Sequence, residues 1–596
     1  MIQLLPLVAL LGCPDPVPVY VDGAAEARVC PAAAPFAGLT LIDLSRDWTP
    51  TALSAGPDRP APAYRATYLA LAQGRLADAG DEGVRAKADG GLEVYGFVPT
   101  LDVVEARLAD DARHACHAAI DDAPLLALAG DLREQYRSAA DARLRAAARL
   151  RKAVERDRAR RHLPDLDALA AVDRTRARRV ARLRELEGYV AGVRAAQAHL
   201  VCEGLLPRAR VDGRLTWQTT LGLLALQRRH QLVPRGHLDA ETRTLLAEDS
   251  RSLDHRTALR VLRERVIAAT GLIEDGSAGD GNQPVLGHLL AAPEYGHVLG
   301  HAPLPGAAPD LISAATEAAA RALGWTDPAA TRAALAHVPS RAAVRLPPLP
   351  AYHHAHMELF VEIDRGDVYY DLRPRHHRLA RRPSLTLYAI DGARRVPLVR
   401  WPTTIGGWKE ERHGARERDN WMESPVGPRV WREMYVAPAW LPPDTTPDKE
   451  LVRSIAGTTS LRSDLLGPSY RSAYGLVMLI HEKEVRTRRG VRRLDERVRT
   501  HGSGSIASIF DGASHGCHRL PPILALRLGG FLLAHRNHVA DGDVRTLYRR
   551  SVRYRGVWPV RIVTRGYRVV LTPPVPVDVL PGTIRSARKR PPPGHS

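Results

Sequence analysis

The feature that most constrains the fold is a change of hydrophobic period near residue 350. From about Ala66 to Leu205, alanine, leucine, arginine and glutamate recur with few glycines, and residues 255–340 repeat this pattern. Both stretches predict helices in a bundle or hairpin. After residue 350 the apolar residues alternate instead, which predicts strands over Met357–Asp364, Val368–Leu372, Leu385–Ile390 and Val396–Trp401. We therefore expect an α+β multidomain protein.

The proline-rich stretch Leu346–Pro350 predicts a stiff linker between the two parts. A short alternation over Leu39–Leu44 predicts one strand within the helical part. The basic, proline-rich end of the chain lacks a hydrophobic pattern able to offset the entropy of ordering, so we expect it to be disordered. The predicted segments are a leader at 1–22, a helical domain at 30–205, a small three-helix domain at 206–250, a helical region at 251–345, a mostly β domain at 352–570 and a disordered tail at 571–596.

Composition narrows the function. The chain has 596 residues and a net charge of +19, which allows two to four domains and suggests an anionic partner. The arginines are interleaved with acids and accompany no nucleic-acid motif, so we expect no nucleic-acid binding. The basic run Arg151–Arg161 is interpreted as a solvated helix face. No apolar run after the N-terminus is long enough to cross a membrane.

One lone cysteine carries the strongest chemical signal. Cys517 stands between Gly516 and His518, sixteen positions after His501. A thiol attacks as thiolate, so it needs a base, and an imidazole delivered from a neighbouring strand can supply one. Gly516 leaves the backbone uncovered, so the amides of Gly516 and Cys517 are expected to face a developing oxyanion.

The motif resembles the active-site signature of the L,D-transpeptidases, which remodel bacterial peptidoglycan. The match covers His501-Gly502-Ser503, the loop to Ala513, and Ser514-His515-Gly516-Cys517-His518-Arg519-Leu520. His518 departs from the family pattern, in which an aliphatic residue is commoner. The resemblance implies a β-sandwich-like catalytic domain, no cofactor, Cys517 as nucleophile, and His501 as base with the Gly502 carbonyl or a nearby polar group on its other nitrogen.

The same resemblance implies roles for further residues. Arg519 is expected to bind a substrate carboxylate, with a structural salt bridge as the alternative. Ser514 is expected to orient the loop, and His515 to shape the oxyanion site or the approach of an acceptor amine. The stretch Pro402–Gly407 resembles the family's strand leading into the substrate cleft. Ser424–Arg429 and Ala437–Pro443 resemble the segment over the active site in larger members, which makes Tyr435 and Trp440 candidates for a cleft wall or lid, with a place in the core as the alternative.

A second resemblance lies at Val211–Asp249. The stretches Asp212-Gly213, Leu224–Leu232 and Gly236–Thr242 are similar to the small peptidoglycan-binding domain. Asp239 is expected to cap the helix that follows it. The alternative is an ordinary capped helix pair.

The five cysteines bear on the compartment. Leu10-Leu11-Gly12-Cys13 resembles a bacterial lipoprotein signal, which implies a lipid on Cys13; the alternatives are an ordinary export signal or a buried strand. Cys116 and Cys202 lie in helical stretches that can be antiparallel neighbours, so a disulfide between them is favoured over unbonded thiols. We expect the periplasm or cell envelope.

The histidine clusters are candidates for a metal site. His353, His354 and His356, with His376 and His377, suggest zinc, but adjacent histidines on a strand point to opposite faces and no His-Glu-x-x-His motif occurs. We expect no metal. His481 is expected on a strand beside the cleft, and His501 outranks it as base.

Together these features predict an exported L,D-transpeptidase that forms 3-3 cross-links. The alternatives are an L,D-carboxypeptidase, an enzyme that attaches an envelope protein to the wall, and a catalytically inert wall-binding scaffold. The expected partners are peptidoglycan and, in one alternative, an outer-membrane or envelope protein, with membrane contact only through a lipid anchor.

Overall fold

A computed structural model describes residues 13, 15–56, 59–279, 302–371, 381–413, 416–455, 458–510 and 512–592. Its helices are α1 (Arg65–Ala72), α2 (Gly80–Asp89), α3 (Leu101–Leu108), α4 (Asp111–Ala118), α5 (Ala123–Leu126), α6 (Arg137–Arg160), α7 (Leu166–Val172), α8 (Arg174–Cys202), α9 (Trp217–Arg229), α10 (Ala240–Leu246), α11 (Ser250–Thr270), α12 (Leu311–Ala322), α13 (Pro328–Leu335), α14 (Ser463–Leu466), α15 (Ile506–Phe510) and α16 (Pro522–His535).

Its strands are β1 (Val17–Val21), β2 (Ala24–Val29), β3 (Thr40–Asp43), β4 (Arg341–Val344), β5 (Glu358–Asp364), β6 (Asp367–Val368), β7 (Ser384–Asp391), β8 (Arg394–Pro402), β9 (Ile405–Gly406), β10 (Trp408–His413), β11 (Arg416–Trp421), β12 (Gly427–Val436), β13 (Val452–Ile455), β14 (Thr458–Leu461), β15 (Val477–Thr487), β16 (Gly490–Gly502), β17 (Ala513–Ser514), β18 (His518–Leu520), β19 (Asn537–Arg553), β20 (Val557–Leu580) and β21 (Thr583–Ile584). The α+β class is confirmed.

The chain divides into two compact units. Unit 1 comprises Met1–Arg85, Glu93–Val103 and Ala258–Ser596, and unit 2 comprises Ala86–Leu92 and Val104–Thr257. The predicted helical domain at 30–205 is therefore not one body. The physical reason is β4, which pairs in parallel with β1 and antiparallel with β3 and so ties the N-terminal strands to the chain after residue 340.

Unit 1 is built on a nine-stranded sheet. Its order is β18-β16-β15-β12-β20-β5-β7-β8, and β19 pairs with β20. The predicted strands at Met357–Asp364, Leu385–Ile390 and Val396–Trp401 are β5, β7 and β8, and the strand predicted at Leu39–Leu44 is β3. Helix α16 is apolar on all sides and packs on β15 and β16, where a Cβ on Gly529 would lie 3.2 Å from Val477 Cγ1.

The predicted disordered tail is wrong for residues 571–592. Val575, Val577 and Val579 are buried on β20, where residues 577–580 pair in parallel with β5. Beyond the strand, Ser586 Oγ accepts a hydrogen bond from Tyr370 N at 3.0 Å, and Arg585 pairs with Asp367 at 3.0 Å. The alternating valines indicate a strand, but the prediction of disorder gave more weight to the proline content and the positive charge.

The structure corrects the expected lipid on Cys13. Cys13 forms a disulfide with Cys30, and a sulfur in a disulfide cannot also carry the thioether of a lipid. Residues 1–12, which hold the apolar run of the expected signal, lie outside the described residues. No helix in the described part of the chain is long and apolar enough to span a bilayer.

Unit 2 is helical. The disulfide expected between Cys116 on α4 and Cys202 on α8 is confirmed. Its core is a cluster of leucines, alanines and a valine from α5, α8, α9, α10 and the segments between them, among them Leu125, Val193, Leu200 and Leu223. This cluster joins the predicted 206–250 segment to the end of α8.

Candidate functional site

The cysteine and the histidine of the motif lie on adjacent chain segments of the large sheet. β16 and β18 run parallel, with His501 opposite Arg519 and Thr500 opposite His518. Side chains alternate between the two faces of a strand. One face therefore presents Arg499, His501 and Arg519, and the other presents Thr500 and His518. Cys517 directly precedes β18.

His501 is a buried neutral base. Its Nδ1 lies 2.8 Å from the Gly502 carbonyl oxygen, which supports the expected role of that carbonyl. A carbonyl only accepts, so Nδ1 carries the proton and Nε2 is left with its lone pair. Burial, and then the positive charge of Arg519, lower the pKa of His501 to about 3. The Tyr474 ring stands edge-on to the imidazole at 5.1 Å between centroids and fixes its other side.

Cys517 is the free cysteine of the described chain. Burial raises the pKa of its thiol, and Arg499 and Arg519 partly offset that rise. The resting site thus holds a neutral thiol beside a neutral imidazole, with two guanidinium groups placed to stabilise a thiolate once it forms. The structure forms no hydrogen bond between Cys517 and His501, both of which it describes, and such bonds often tighten only when substrate is bound.

The loop around Cys517 is held by hydroxyl groups. Ser514 Oγ donates to the Cys517 carbonyl at 2.6 Å, or to the Ile405 carbonyl at 3.0 Å, and accepts from the Gly516 amide at 3.1 Å. Thr404 Oγ1 donates to the Cys517 carbonyl at 2.7 Å and accepts from Arg519 N at 3.0 Å. These bonds support the loop-orienting role expected of Ser514.

The Gly516 amide does not have the expected oxyanion role, because Ser514 already accepts its hydrogen. Of the two expected donors, the Cys517 amide is left. Gly516 has a different structural requirement: its φ is +99°, and a Cβ there would lie 2.5 Å from the Glu423 carbonyl oxygen. Ser424 Oγ donates to the Gly516 carbonyl at 2.8 Å, so the Ser424–Arg429 segment helps to hold the cysteine loop.

Arg519 carries a charge without a counter-ion. Its Nη1 donates to Ser508 Oγ at 3.0 Å, and its buried Nε has no acceptor. Among the described residues no carboxylate pairs with it, so the salt-bridge alternative finds no partner there. Arg499, in contrast, donates to both carboxylate oxygens of Asp495, from Nη1 at 2.6 Å and from Nη2 at 2.7 Å.

The opposite face of the strand pair forms a separate buried cluster. Trp431 Nε1 donates to His481 Nε2 at 3.0 Å, and Thr500 Oγ1 lies 2.8 Å from the same nitrogen. The His481 and His518 rings are 5.1 Å apart, and His518 Nδ1 donates to the Thr404 carbonyl at 2.9 Å. Burial drives the pKa of His481 well below its usual value. His481 therefore lies in the core behind the site.

The remaining predicted site residues lie at varying depth. Tyr435 is 2% exposed and packs in a cluster with Tyr474 and Met478, which is the core alternative. Trp440 belongs to a different hydrophobic cluster with Ala439 and Leu466. Tyr435 therefore follows the core alternative, while Trp440 is only partly buried against its cluster. Ser503 N donates to the Leu520 carbonyl at 2.9 Å and so closes the loop, and His515 is exposed.

Unit 2 contains a duplicated glutamine network. Gln227 on α9 donates to the His237 carbonyl and to Thr242 Oγ1, and accepts from the Gly236 amide. Gln197 on α8 does the same with the Arg214 carbonyl, Thr219 Oγ1 and the Gly213 amide. Asp239 Oδ1 accepts from the Thr242 amide at 2.8 Å, so its predicted cap is confirmed. The three-helix pattern thus begins on α8, before residue 206.

Sequence reasoning missed Arg499, Thr404, Tyr474 and Gln197. Two of them left a signal. Arg499 precedes His501 by two residues on a strand and so shares its face, and Gln197 precedes an Asp-Gly pair much as Gln227 precedes Gly236. Thr404 lies in the Pro402–Gly407 stretch that is expected to lead into the cleft, but nothing in that stretch singles it out. Tyr474 comes from another segment of unit 1, and no local pattern connects it to Cys517.

No three of the His, Cys, Asp or Glu side chains in the described chain gather as a metal site. His376 and His377 lie outside the described residues. No protein-family model matches the chain, and neither does any curated protein.

Proposed function

We propose that the chain is an exported L,D-transpeptidase that acts on peptidoglycan stem peptides through Cys517. The observation that carries the proposal is a free thiol on a loop held by hydroxyl groups, beside a histidine with a fixed tautomer and an arginine that has no counter-ion among the residues the structure describes. A nucleophile, a base and an anion-binding group are the parts that acyl transfer from a carboxylate-bearing peptide requires.

Acylation begins when His501 Nε2 takes the Cys517 proton. The thiolate attacks the carbonyl carbon that joins the diamino acid to the terminal D-alanine, and the Cys517 amide donates to the oxyanion. Collapse forms the thioester and breaks the peptide bond, and His501 returns the proton to the departing D-alanine amine. A second stem's amine then attacks the thioester, which releases Cys517 and leaves a 3-3 cross-link.

Arg519 links substrate binding to base strength in this scheme. Its positive charge is one cause of the low pKa of His501. A substrate carboxylate bound to Arg519 offsets that charge, so the imidazole becomes more basic when a donor stem is in place. The weak base of the resting site is thus compatible with proton transfer in the complex.

Two further features support export and wall binding. The disulfides Cys13–Cys30 and Cys116–Cys202 are of the kind that persists in oxidising compartments. The glutamine networks of unit 2 fix the turns at Gly213 and Gly236, and both turns belong to the stretch that resembles a peptidoglycan-binding domain. We propose that unit 2 holds the wall while unit 1 performs the transfer.

The test is mass spectrometry of muropeptides after incubation of the full chain with tetrapeptide stems. A dimer cross-linked between diamino acids is the expected product, and a tripeptide alone would identify water as the acceptor and the enzyme as a carboxypeptidase. A covalent carbapenem adduct on Cys517 is expected in parallel. Unchanged stems together with an unmodified thiol would overturn the proposal.

A further inference from the structure

A second functional surface lies on the hairpin of β19 and β20. We call residues 545–563 of this hairpin the arginine ribbon. Every second residue of it is exposed, while Val552, Val560 and Ile562 between them pack into a hydrophobic cluster with Ala439 and Leu451. The exposed positions are Arg545, Leu547, Arg549, Ser551, Arg553, Arg555, Val557, Pro559, Arg561 and Val563. One face of the ribbon is thus anchored, and the other faces solvent.

The exposed face contains five arginines and no acid. None of the five forms an ion pair with any described residue. Arg549 stands directly opposite Arg561 in the strand register, and like charges in that position are destabilising. A folded protein that keeps an uncompensated cross-strand pair of arginines carries a charge that an outside anion can satisfy.

The same face also exposes aliphatic side chains. Leu547 is 60% exposed, Val557 68% and Val563 53%, and these side chains alternate with the guanidinium groups. A soluble polyanion offers nothing to such side chains. A lipid bilayer does, because its phosphates pair with arginine while its interfacial region accepts aliphatic groups.

The hairpin of β15 and β16 in the same sheet is also rich in arginine, but acids stand among its arginines. Glu484 faces Arg493 there and pairs with it at 2.9 Å. Because β15 and β20 are both antiparallel to β12, they run in the same direction, and the two hairpin turns lie at opposite ends of the sheet. Arginine content alone therefore does not distinguish the ribbon. The missing acids do, together with three exposed aliphatic side chains where the other hairpin has Val491, which is 51% exposed.

We infer that the arginine ribbon docks unit 1 onto a membrane surface that contains anionic phospholipid. The guanidinium groups contact the lipid phosphates, and Leu547, Val557 and Val563 insert among the headgroups. This inference is independent of the reaction proposed for Cys517, since no residue of the ribbon belongs to that site.

The test is co-sedimentation of the purified full chain with vesicles of phosphatidylcholine, either alone or mixed with phosphatidylglycerol. Binding is expected only to the mixed vesicles. Arg549→Ser with Arg561→Ser should weaken it by about fivefold for each arginine, and so about 25-fold for the pair. Leu547→Ser with Val563→Ser keeps the charge and should also weaken binding. All four side chains are exposed, so neither variant is expected to unfold at a lower temperature than the parent chain, and loss of the Arg549–Arg561 repulsion should slightly raise that temperature for the arginine variant.

The matched control is Arg488→Ser with Arg489→Ser, which removes two exposed arginines from the turn of the other hairpin. It should leave most of the binding in place. If this control lost as much vesicle binding as the Arg549 and Arg561 variant, net charge alone would explain the binding, which would overturn the inference. So would full binding by the Leu547 and Val563 variant, since that result identifies a surface for soluble polyanions, and so would equal binding to neutral vesicles.

Discussion

The Cys517 site of unit 1 and a buried cluster of unit 2 use similar residues in opposite ways. In unit 2 the carboxylate of Glu203 is 3% exposed and pairs with Arg107, Arg113, Arg229 and His117. Asp254, 1% exposed, pairs with Arg107 and Arg113. In unit 1 the thiol and the imidazole are both neutral, and no described carboxylate pairs with Arg519.

The two regions differ in whether their buried charged groups have partners, and this distinguishes a structural charge from one available to a ligand. Burial by itself raises the pKa of Glu203, but its His117 and arginine partners hold that pKa far below the usual range. That carboxylate is ionised and satisfied, with no capacity left for a ligand. Beside Cys517, in contrast, Arg519 Nε is buried without an acceptor, which costs stability and is expected where a substrate completes the set.

The largest expected effect is on Cys517. Cys517→Ala removes the sulfur that carries the acyl group, so turnover and the carbapenem adduct should both vanish, as measured by product analysis and intact mass. Stability should change little, because the loop is held by Ser514 and Thr404 through the backbone. The control is Cys517→Ser, which keeps the shape; substantial turnover by either variant contradicts the nucleophile assignment.

His501→Ala is expected to come next. The thiol then has no base, and its pKa already lies above the usual value, so acylation near neutral pH should fall by roughly 10²–10⁴-fold. The rate should rise again with pH as solvent hydroxide forms the thiolate. Rates of carbapenem adduct formation across pH measure this. The control is His481→Ala, whose ring lies on the opposite face; a greater loss of acylation in that variant would reverse the assignment of the base.

The nucleophile, the base and the face they share could be predicted from local sequence, since Cys517 and His501 sit in one motif and alternation on β16 places Arg499 beside His501. The loop-orienting role of Ser514 could be predicted as well, but the bonds from Thr404 and Ser424 could not, because these residues reach the loop from segments about a hundred residues away. The bond from the Gly516 amide to Ser514 Oγ depends on a turn that the sequence does not define. The order of the tail could not be predicted locally, because the burial of Val575, Val577 and Val579 depends on β5, a strand more than two hundred residues earlier.

The third expected effect is on stability and concerns the buried cluster around Glu203 in unit 2. Glu203→Gln leaves three arginines and His117 around a neutral amide, and breaking a buried ion pair of this kind typically costs about 3–5 kcal/mol. Denaturant unfolding of the full chain measures it, followed by the helical signal that unit 2 dominates. Glu185→Gln removes an exposed partner of Arg182 and should have no measurable effect. Equal stabilities of the two variants would show that the cluster is not a structural network.

The smallest effect concerns His518, which stands behind the site and has no partner on Nε2. Burial lowers its pKa to about 4, whereas an unfolded histidine titrates near pH 6.5. Above pH 6.5 the ring is neutral in both states and its titration contributes nothing to the pH dependence. Between pH 6.5 and 4 the unfolded chain binds the proton and the folded chain does not, so stability falls by roughly 3 kcal/mol for this one ring and then levels off.

His518→Leu should therefore flatten the acid limb of the stability curve by about that amount, because leucine does not titrate. It also loses the bond to the Thr404 carbonyl, so its stability at pH 7.5 should be somewhat lower than that of the parent chain, and the two curves should cross as the pH falls towards 4. His162→Gln changes a ring that is exposed in the folded chain and should leave the profile unaltered. Parallel curves for the parent and His518→Leu would mean that the ring is protonated in the folded core, where Nε2 has no acceptor, and would remove the distinction drawn between the two faces of β16 and β18.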